Sequence, residues 1–109
     1  MAAVVEVLER LTAAGIELLP AVEITTHFIF TRDGFAALVE RRNDGFGGMG
    51  APGLLVAGHG LALLVWRGAE AYFIARGFQR IATGGEVESL RRFSDDLKRS
   101  ISGSDSSSN

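Results

Sequence analysis

Residues 21–42 read AVEITTHFIFTRDGFAALVERR and predict a β-hairpin. In the first half, side chains suited to a pleated surface alternate between two faces, so we expect a strand from Ala21 to Thr31. Asp33-Gly34 is a favoured pair for the two-residue turn that joins antiparallel strands. The second strand of the hairpin is therefore expected from Phe35 to Arg42.

The length of the turn sets which residues face each other across the hairpin. A three-residue loop with Gly34 in a bulge would shift the register by one residue, so any predicted pairing is conditional on the two-residue turn. With that turn, the expected pairs are Phe30 with Ala37, Phe28 with Val39, Ile29 with Leu38, and His27 with Glu40.

Three further strands are expected downstream, at Leu61–Trp66, Ala71–Ala75 and Phe78–Ala82. The segments between them are too short for parallel crossovers, so these strands should form an antiparallel meander. Leu54–Ala57 is a candidate for one more short strand.

Helical patterns stand at both ends of the chain. The first runs from Val4 until Gly15 supplies a stop, and the second opens at a capping box formed by Thr83 and Glu86. We predict an α+β fold: an antiparallel meander sheet of about five strands, in two hairpin-connected groups, with an N-terminal and a C-terminal helix packed on it. Residues 1–101 are expected to form a single domain and residues 102–109 a disordered Ser-rich tail.

Half of the chain's 14 glycines lie between Gly45 and Gly60. We expect residues 43–53 to form a loop between the two groups of strands. This loop is either a passive connection or a flap whose Phe46 and Met49 close over a groove or a partner. The glycine spacing resembles a phosphate-binding loop, but no helix start and no lysine follow it, which argues against that function.

Composition narrows the classes of function. The chain has 109 residues, a formal net charge of -2 and interspersed charges, so nucleic acid is not an expected partner. It has no cysteine, which excludes thiolate metal sites and cysteine nucleophiles and fits a reducing compartment. No apolar run approaches the roughly 20 residues of a membrane span. A cytoplasmic protein without a membrane partner is expected.

The two histidines offer limited chemistry. His27 could act as a base oriented by Glu40, but no nucleophile is fixed beside them, and His59 is expected in a turn between two glycines. Neither histidine has the spacing of a local metal site. We therefore expect no catalytic residue, no metal and no cofactor.

The sequence favours a binding module over an enzyme. The second helix carries an apolar stripe which, together with the apolar strands, exceeds what one small sheet needs. We expect a homodimer or another protein partner, with the glycine-rich loop as the contact region.

The alternative is a small-molecule binder or small enzyme with a loop-gated pocket that uses His27, Glu40 or His59. A concavity lined by His27 and Glu40 would support the pocket, and a flat apolar face would support the module. The apolar stripe of the second helix, on which the prediction of a protein partner depends, consists of Val87, Leu90, Ser94, Leu97 and Ile101.

The order of the elements over residues 2–101 resembles the small α+β regulatory folds of the roadblock and profilin type. This resemblance implies a sheet between terminal helices and assembly as a dimer. The chain departs from the pattern where a middle helix is expected, because the glycine-rich window occupies that place. No functional residue is carried over.

Overall fold

The computed structural model of the chain describes residues 4–19, 26–43 and 45–102. Two helices flank a run of strands, as the sequence predicts. The helices are α1 (Val4–Ala13) and α2 (Gly84–Ser102). The strands are β1 (Glu17–Leu19), β2 (His27–Arg32), β3 (Phe35–Arg42), β4 (Gly45–Met49), β5 (Gly53–Val56), β6 (Gly60–Arg67), β7 (Glu70–Ala75) and β8 (Phe78–Ile81).

The strands form one antiparallel sheet of eight strands in the order β1-β2-β3-β5-β6-β7-β8, with β4 paired to β3. The α+β class, the antiparallel sheet and the two terminal helices are confirmed. The expected number of about five strands is wrong. Three short strands account for the difference: β1 pairs with β2, and β4 and β5 both pair with β3. Residues 21–25 of the predicted first strand and residues 103–109 of the predicted tail lie outside the described residues.

The hairpin formed by β2 and β3 has the predicted register. Asp33 and Gly34 have φ values of 54° and 88°, the left-handed conformations that a two-residue type I′ turn requires. All four predicted cross-strand pairs are present: Phe30 with Ala37, Phe28 with Val39, Ile29 with Leu38, and His27 with Glu40.

The expectation of a loop over residues 43–53 is also corrected. β4 pairs with the second half of β3 and β5 with its beginning, so the two short strands lie end to end along β3. Val39 faces Met49 and Arg41 faces Phe46, which leaves one extra residue in β4 between the two pairs. This bulge turns Phe46 and Met49 to the same face although they are three residues apart, and it hides the alternation that would identify a strand.

Both helices pack on one face of the sheet, which we call the inner face. Helix α1 contributes residues one turn apart to a cluster shared with the central strands. Helix α2 contributes Phe93 and three members of its apolar stripe, Leu90, Leu97 and Ile101. The stripe predicted as a possible contact surface is therefore largely covered within the chain itself. The fully buried large side chains are Val7, Leu11, Phe30, Val39, Phe73, Phe93 and Leu97.

Arg32, at the end of β2, ties the hairpin to both helices. Its Nη1 donates hydrogen bonds to the backbone oxygen of Ala14 at 2.9 Å and to Oδ2 of Asp96 at 2.8 Å. The guanidinium holds the pKa of the Asp96 carboxyl below its usual value. Because Arg32 and Asp96 are both largely shielded from solvent, this ion pair fixes the orientation of α2 over the sheet.

Candidate functional site

The two faces of the sheet have different surroundings. Successive residues of a strand point to opposite faces, so the side chains that alternate with the buried ones lie on the far side from the helices. We call this side the outer face. No described helix or strand packs over it. Its apolar members are Leu19, Ile29, Leu38, Leu55, Leu61, Leu63, Val65, Ile74 and Ile81, with Tyr72 among them.

The apolar side chains of the outer face form a contiguous patch over β5 to β8. Cross-strand pairing joins Leu55 to Leu61, Leu63 to Ile74, Val65 to Tyr72, and Tyr72 in turn to Ile81. We call these seven residues the outer patch. Large side chains within it remain open to solvent: Leu55 is 41% exposed, Leu63 41%, Val65 39% and Ile81 48%. Contiguous apolar surface of this kind is uncommon on monomers and marks interaction sites.

One signal in the sequence could have identified the outer patch. An antiparallel strand with one solvated face alternates between apolar and polar residues, whereas a strand covered on both faces is apolar throughout. Residues 61–66, LALLVW, do not alternate. The sequence of β6 is therefore typical of a strand that is covered on both sides, although the structure covers only one.

Charged residues of the outer face lie toward the strand ends. Near the β6–β7 turn, the guanidinium of Arg67 lies over the ring of Tyr72, 5.6 Å from its centroid. The Tyr72 hydroxyl donates a hydrogen bond to Oε1 of Glu70 at 3.0 Å, and this bond raises the pKa of Tyr72. The patch is thus apolar in the middle and polar at its margin, the arrangement of many protein interfaces.

His27 and Glu40 are brought together on the outer face as cross-strand partners, near the far end of β3. Nδ1 of His27 shares a hydrogen bond with the Thr26 hydroxyl at 2.8 Å. The Glu40 carboxylate accepts hydrogen bonds from Arg42 Nε at 2.9 Å and from the Gly48 amide at 3.4 Å. These contacts, with that of Arg42 the largest, hold the pKa of Glu40 below its usual value. Glu40 is therefore an ionised partner of Arg42 and a weak proton acceptor.

Phe46 and Met49 lie on the inner face, on the other side of the sheet from His27 and Glu40. The Phe46 ring packs 5.1 Å from that of Phe28 and 5.9 Å from that of Phe30, measured between centroids. Both Phe46 and Met49 pack against the buried cluster. Their apolar side chains thus have a structural role in covering the end of the core.

His59 lies in the β5–β6 turn, as expected. Its Nδ1 shares a hydrogen bond with the backbone oxygen of Arg76 at 3.0 Å, and its ring lies 5.6 Å from that of Phe78. This contact joins two neighbouring turns at one end of the sheet. The five predicted site residues therefore occupy three separate places and do not form one pocket.

A cleft of about 730 Å³ opens between α2 and the inner face beside β6 and β7. Its walls are mainly apolar and its rim carries Arg91, paired with Glu88 at 2.6 Å, together with Asp95 and Lys98. Trp66, the only tryptophan of the chain, lines one wall and is 58% exposed. The lining contains neither His27 nor Glu40. Other residues of the wall include Leu64, Ala71, Val87, Leu90 and Ser94.

Residues 4–19, 26–43 and 45–102 contain no group of three or more His, Asp or Glu side chains placed to hold a metal ion. Neither α1 nor α2, the helices in the described part of the chain, has the length and apolar character needed to cross a membrane.

Comparison of the chain with models of protein families, with curated proteins and with solved structures found no match. The functional argument therefore depends on the geometry of the sheet and the cleft.

Proposed function

We propose that the protein is a protein-interaction module and that the outer face of its sheet is the contact surface. The observation that carries this proposal is the outer patch, which spans β5 to β8 and is covered by no described element. Exposed apolar area of this extent lowers the free energy of any complex that removes it from water. The contact region proposed is thus the outer face and not the glycine-rich segment.

The arrangement of the polar residues favours this module over an enzyme. Two carboxylates of the outer face already have partners in the same chain: Glu40 with Arg42, and Glu70 with Tyr72. The pKa of Glu40 is held below its usual value, whereas a general acid or base in a pocket is expected to have a raised one. A cytoplasmic location belongs to the proposal as well, on the ground that the chain has no cysteine.

Hydroxyl-radical footprinting in the cells that produce the protein tests the proposal. Leu55, Leu63 and Val65 should be labelled several-fold less than their exposure in the structure predicts, because a partner covers them. Val5 on α1 is 65% exposed and is the matched internal control. Labelling of the three outer residues and of Val5 in proportion to their exposure would contradict the proposal.

The cleft beside α2 supports a second candidate function, the binding of a small apolar molecule. Its volume of about 730 Å³ falls within the usual size of ligand sites, and Trp66 offers an exposed aromatic ring. Because Trp66 is the only tryptophan, all tryptophan emission comes from the wall of this cleft. Titration with 1-anilinonaphthalene-8-sulfonate should quench the emission saturably.

Two variants locate the binding of this dye. Val87→Asp introduces a charge into the cleft wall and should abolish saturable quenching, while Leu63→Lys on the outer face should leave it unchanged. Quenching that is lost in Leu63→Lys and retained in Val87→Asp would assign the dye to the outer face and remove the support for this candidate.

A further inference from the structure

We infer that the partner of the outer face is a second copy of this chain, bound sheet to sheet about a twofold axis. The inference rests on the proposed function, since it names the partner for the same surface. Three observations carry it: the distribution of charge on the face, the area that the face offers, and the shape of the protomer.

Five charged residues occupy outer-face positions of the described strands, and four of them have partners within one copy; the fifth is Glu17 on β1. Glu40 and Arg42 form an ion pair at 2.8 Å. Arg67 and Glu70 both engage Tyr72, the first over its ring and the second through its hydroxyl. With three acidic and two basic residues, the face has no large excess of one sign that would require an oppositely charged partner. An identical face can approach it without placing unpaired like charges together.

The apolar centre of the face is complementary to itself. The outer patch contains no charged side chain, and Leu63 on β6 lies between the neighbouring strands β5 and β7. In a twofold arrangement centred near Leu63, each apolar side chain meets an apolar side chain of the other copy. Two sheets packed face to face in this way lie about 10 Å apart and interdigitate their side chains.

The area of the face approaches what a stable dimer needs. Seven strands at a spacing of about 4.8 Å span roughly 29 Å, and six-residue strands are about 20 Å long, which gives a flat footprint of roughly 600 Å². The accessible surface of a corrugated face exceeds its flat footprint. A standard interface buries about 800 Å² on each partner, so the face is of the right order.

The protomer has the shape of half of a four-layer particle. Its extents are 39 × 34 × 20 Å, and the shortest corresponds to one layer of helices on one sheet. Two copies joined by their outer faces would have the layers helix, sheet, sheet and helix. Each sheet would then be covered on both faces. The sequence of β6, which does not alternate between apolar and polar residues, is typical of a strand in that environment.

The association state of the purified full chain tests the inference. Sedimentation velocity across a concentration series should give a dimer for the natural chain. Leu63→Lys places a charge at the centre of the interface and should raise the dissociation constant by about 100-fold or more. Val5→Lys, an equally drastic change at an exposed apolar residue on α1, should leave it unchanged. Far-ultraviolet circular dichroism checks that both variants are folded.

Crosslinking supplies a variant that keeps the interface apolar. Because the chain has no cysteine, Leu63→Cys and Arg92→Cys each contain a single thiol. A short bismaleimide should join two copies through position 63 and not through position 92, which lies exposed on α2. This experiment decides the question if Leu63→Lys does not fold.

Any result other than a dimer that depends on Leu63 overturns the inference. A natural chain that is monomeric at all concentrations excludes the second copy as partner. A dimer that persists in Leu63→Lys, or that crosslinks through position 92 and not 63, uses another surface. In either case, protection of Leu63 from radicals inside the cell would leave the interaction module standing with a different partner. Absence of that protection would remove the module as well.

Discussion

Gly53 is a residue at which the sheet has no room for a side chain. It is buried in β5, and a Cβ atom built there would collide with the backbone oxygen of Ala62 on β6. A backbone atom in a paired strand cannot rotate away from the collision. Gly48, in the same glycine-rich window, has open space where its Cβ would be. The glycines of this window therefore serve different purposes, and close backbone approach accounts for Gly53.

Gly53→Ala is therefore expected to lower the free energy of unfolding by about 2 kcal/mol or more, because β5 and β6 must separate to admit the methyl group. Gly48→Ala, the matched control, should change it by less than about 0.5 kcal/mol. Urea denaturation followed by circular dichroism measures both values. Equal effects of the two substitutions would show that backbone approach is not the constraint at residue 53.

At the scale of elements, sequence patterns predict the structure where a local rule determines it. The register of β2 and β3 follows from strict alternation and from the Asp33-Gly34 turn, and the start of α2 follows from its capping box. β1 has only three residues, and its hydrogen bonds come from β2, so no local pattern marks it. In β4 the bulge interrupts the alternation, and the sequence alone predicts a loop there.

The candidate site was less predictable for a physical reason. The sequence predicts a connecting loop or a flap for Phe46 and Met49, but a strand places them on the inner face, where they pack against the core. His27 and Glu40 were paired correctly because register is a local property of the hairpin. Which face of the sheet the helices cover depends on tertiary packing, so the outer patch emerges only from the three-dimensional arrangement.

The start of α2 makes part of the stability of the protein dependent on pH. Glu86 accepts hydrogen bonds from both terminal nitrogens of Arg80, at 3.1 and 2.8 Å, and from the backbone amide of Thr83 at 2.9 Å. The Thr83 hydroxyl accepts a bond from the Glu86 amide at 3.1 Å and completes the capping box. The bonds from Arg80, followed by that from Thr83, hold the pKa of Glu86 below its ordinary value of 4.5.

Glu86→Gln is expected to reduce the free energy of unfolding by roughly 0.5–1 kcal/mol at neutral pH, since the charge that pairs with Arg80 is lost. A carboxyl whose pKa is lower in the folded chain stabilises it fully above the unfolded pKa, and this contribution disappears as the pH falls through the folded pKa. The variant and the natural chain should therefore differ at neutral pH and converge at an acid pH below the folded pKa of Glu86. Chemical denaturation at both pH values measures the difference, and a gap that persists in acid would assign the effect to the shape of the side chain.

At the scale of the whole molecule, the two helices cover only one face of an eight-stranded sheet. The inner face is closed by a cluster to which α1 and α2 both contribute, while the outer face keeps its leucines and valine in water. An antiparallel sheet can leave one face in solvent, but apolar side chains on that face are buried further when a partner covers them. The asymmetry between the two faces is thus the property from which the proposed interaction follows.

The driving force of this association predicts its response to salt. Because the outer patch is apolar and the charges at its margin are satisfied within each copy, few charge pairs should form between the copies. Raising sodium chloride from about 50 mM to about 500 mM shortens the screening length from roughly 14 Å to roughly 4 Å, which weakens exposed charge pairs but not apolar contacts. The dissociation constant, measured by sedimentation at each concentration of salt, should change by less than about threefold. A tenfold or larger weakening would mean that charges hold the copies together, and that the contact lies at the charged margin and not at the outer patch.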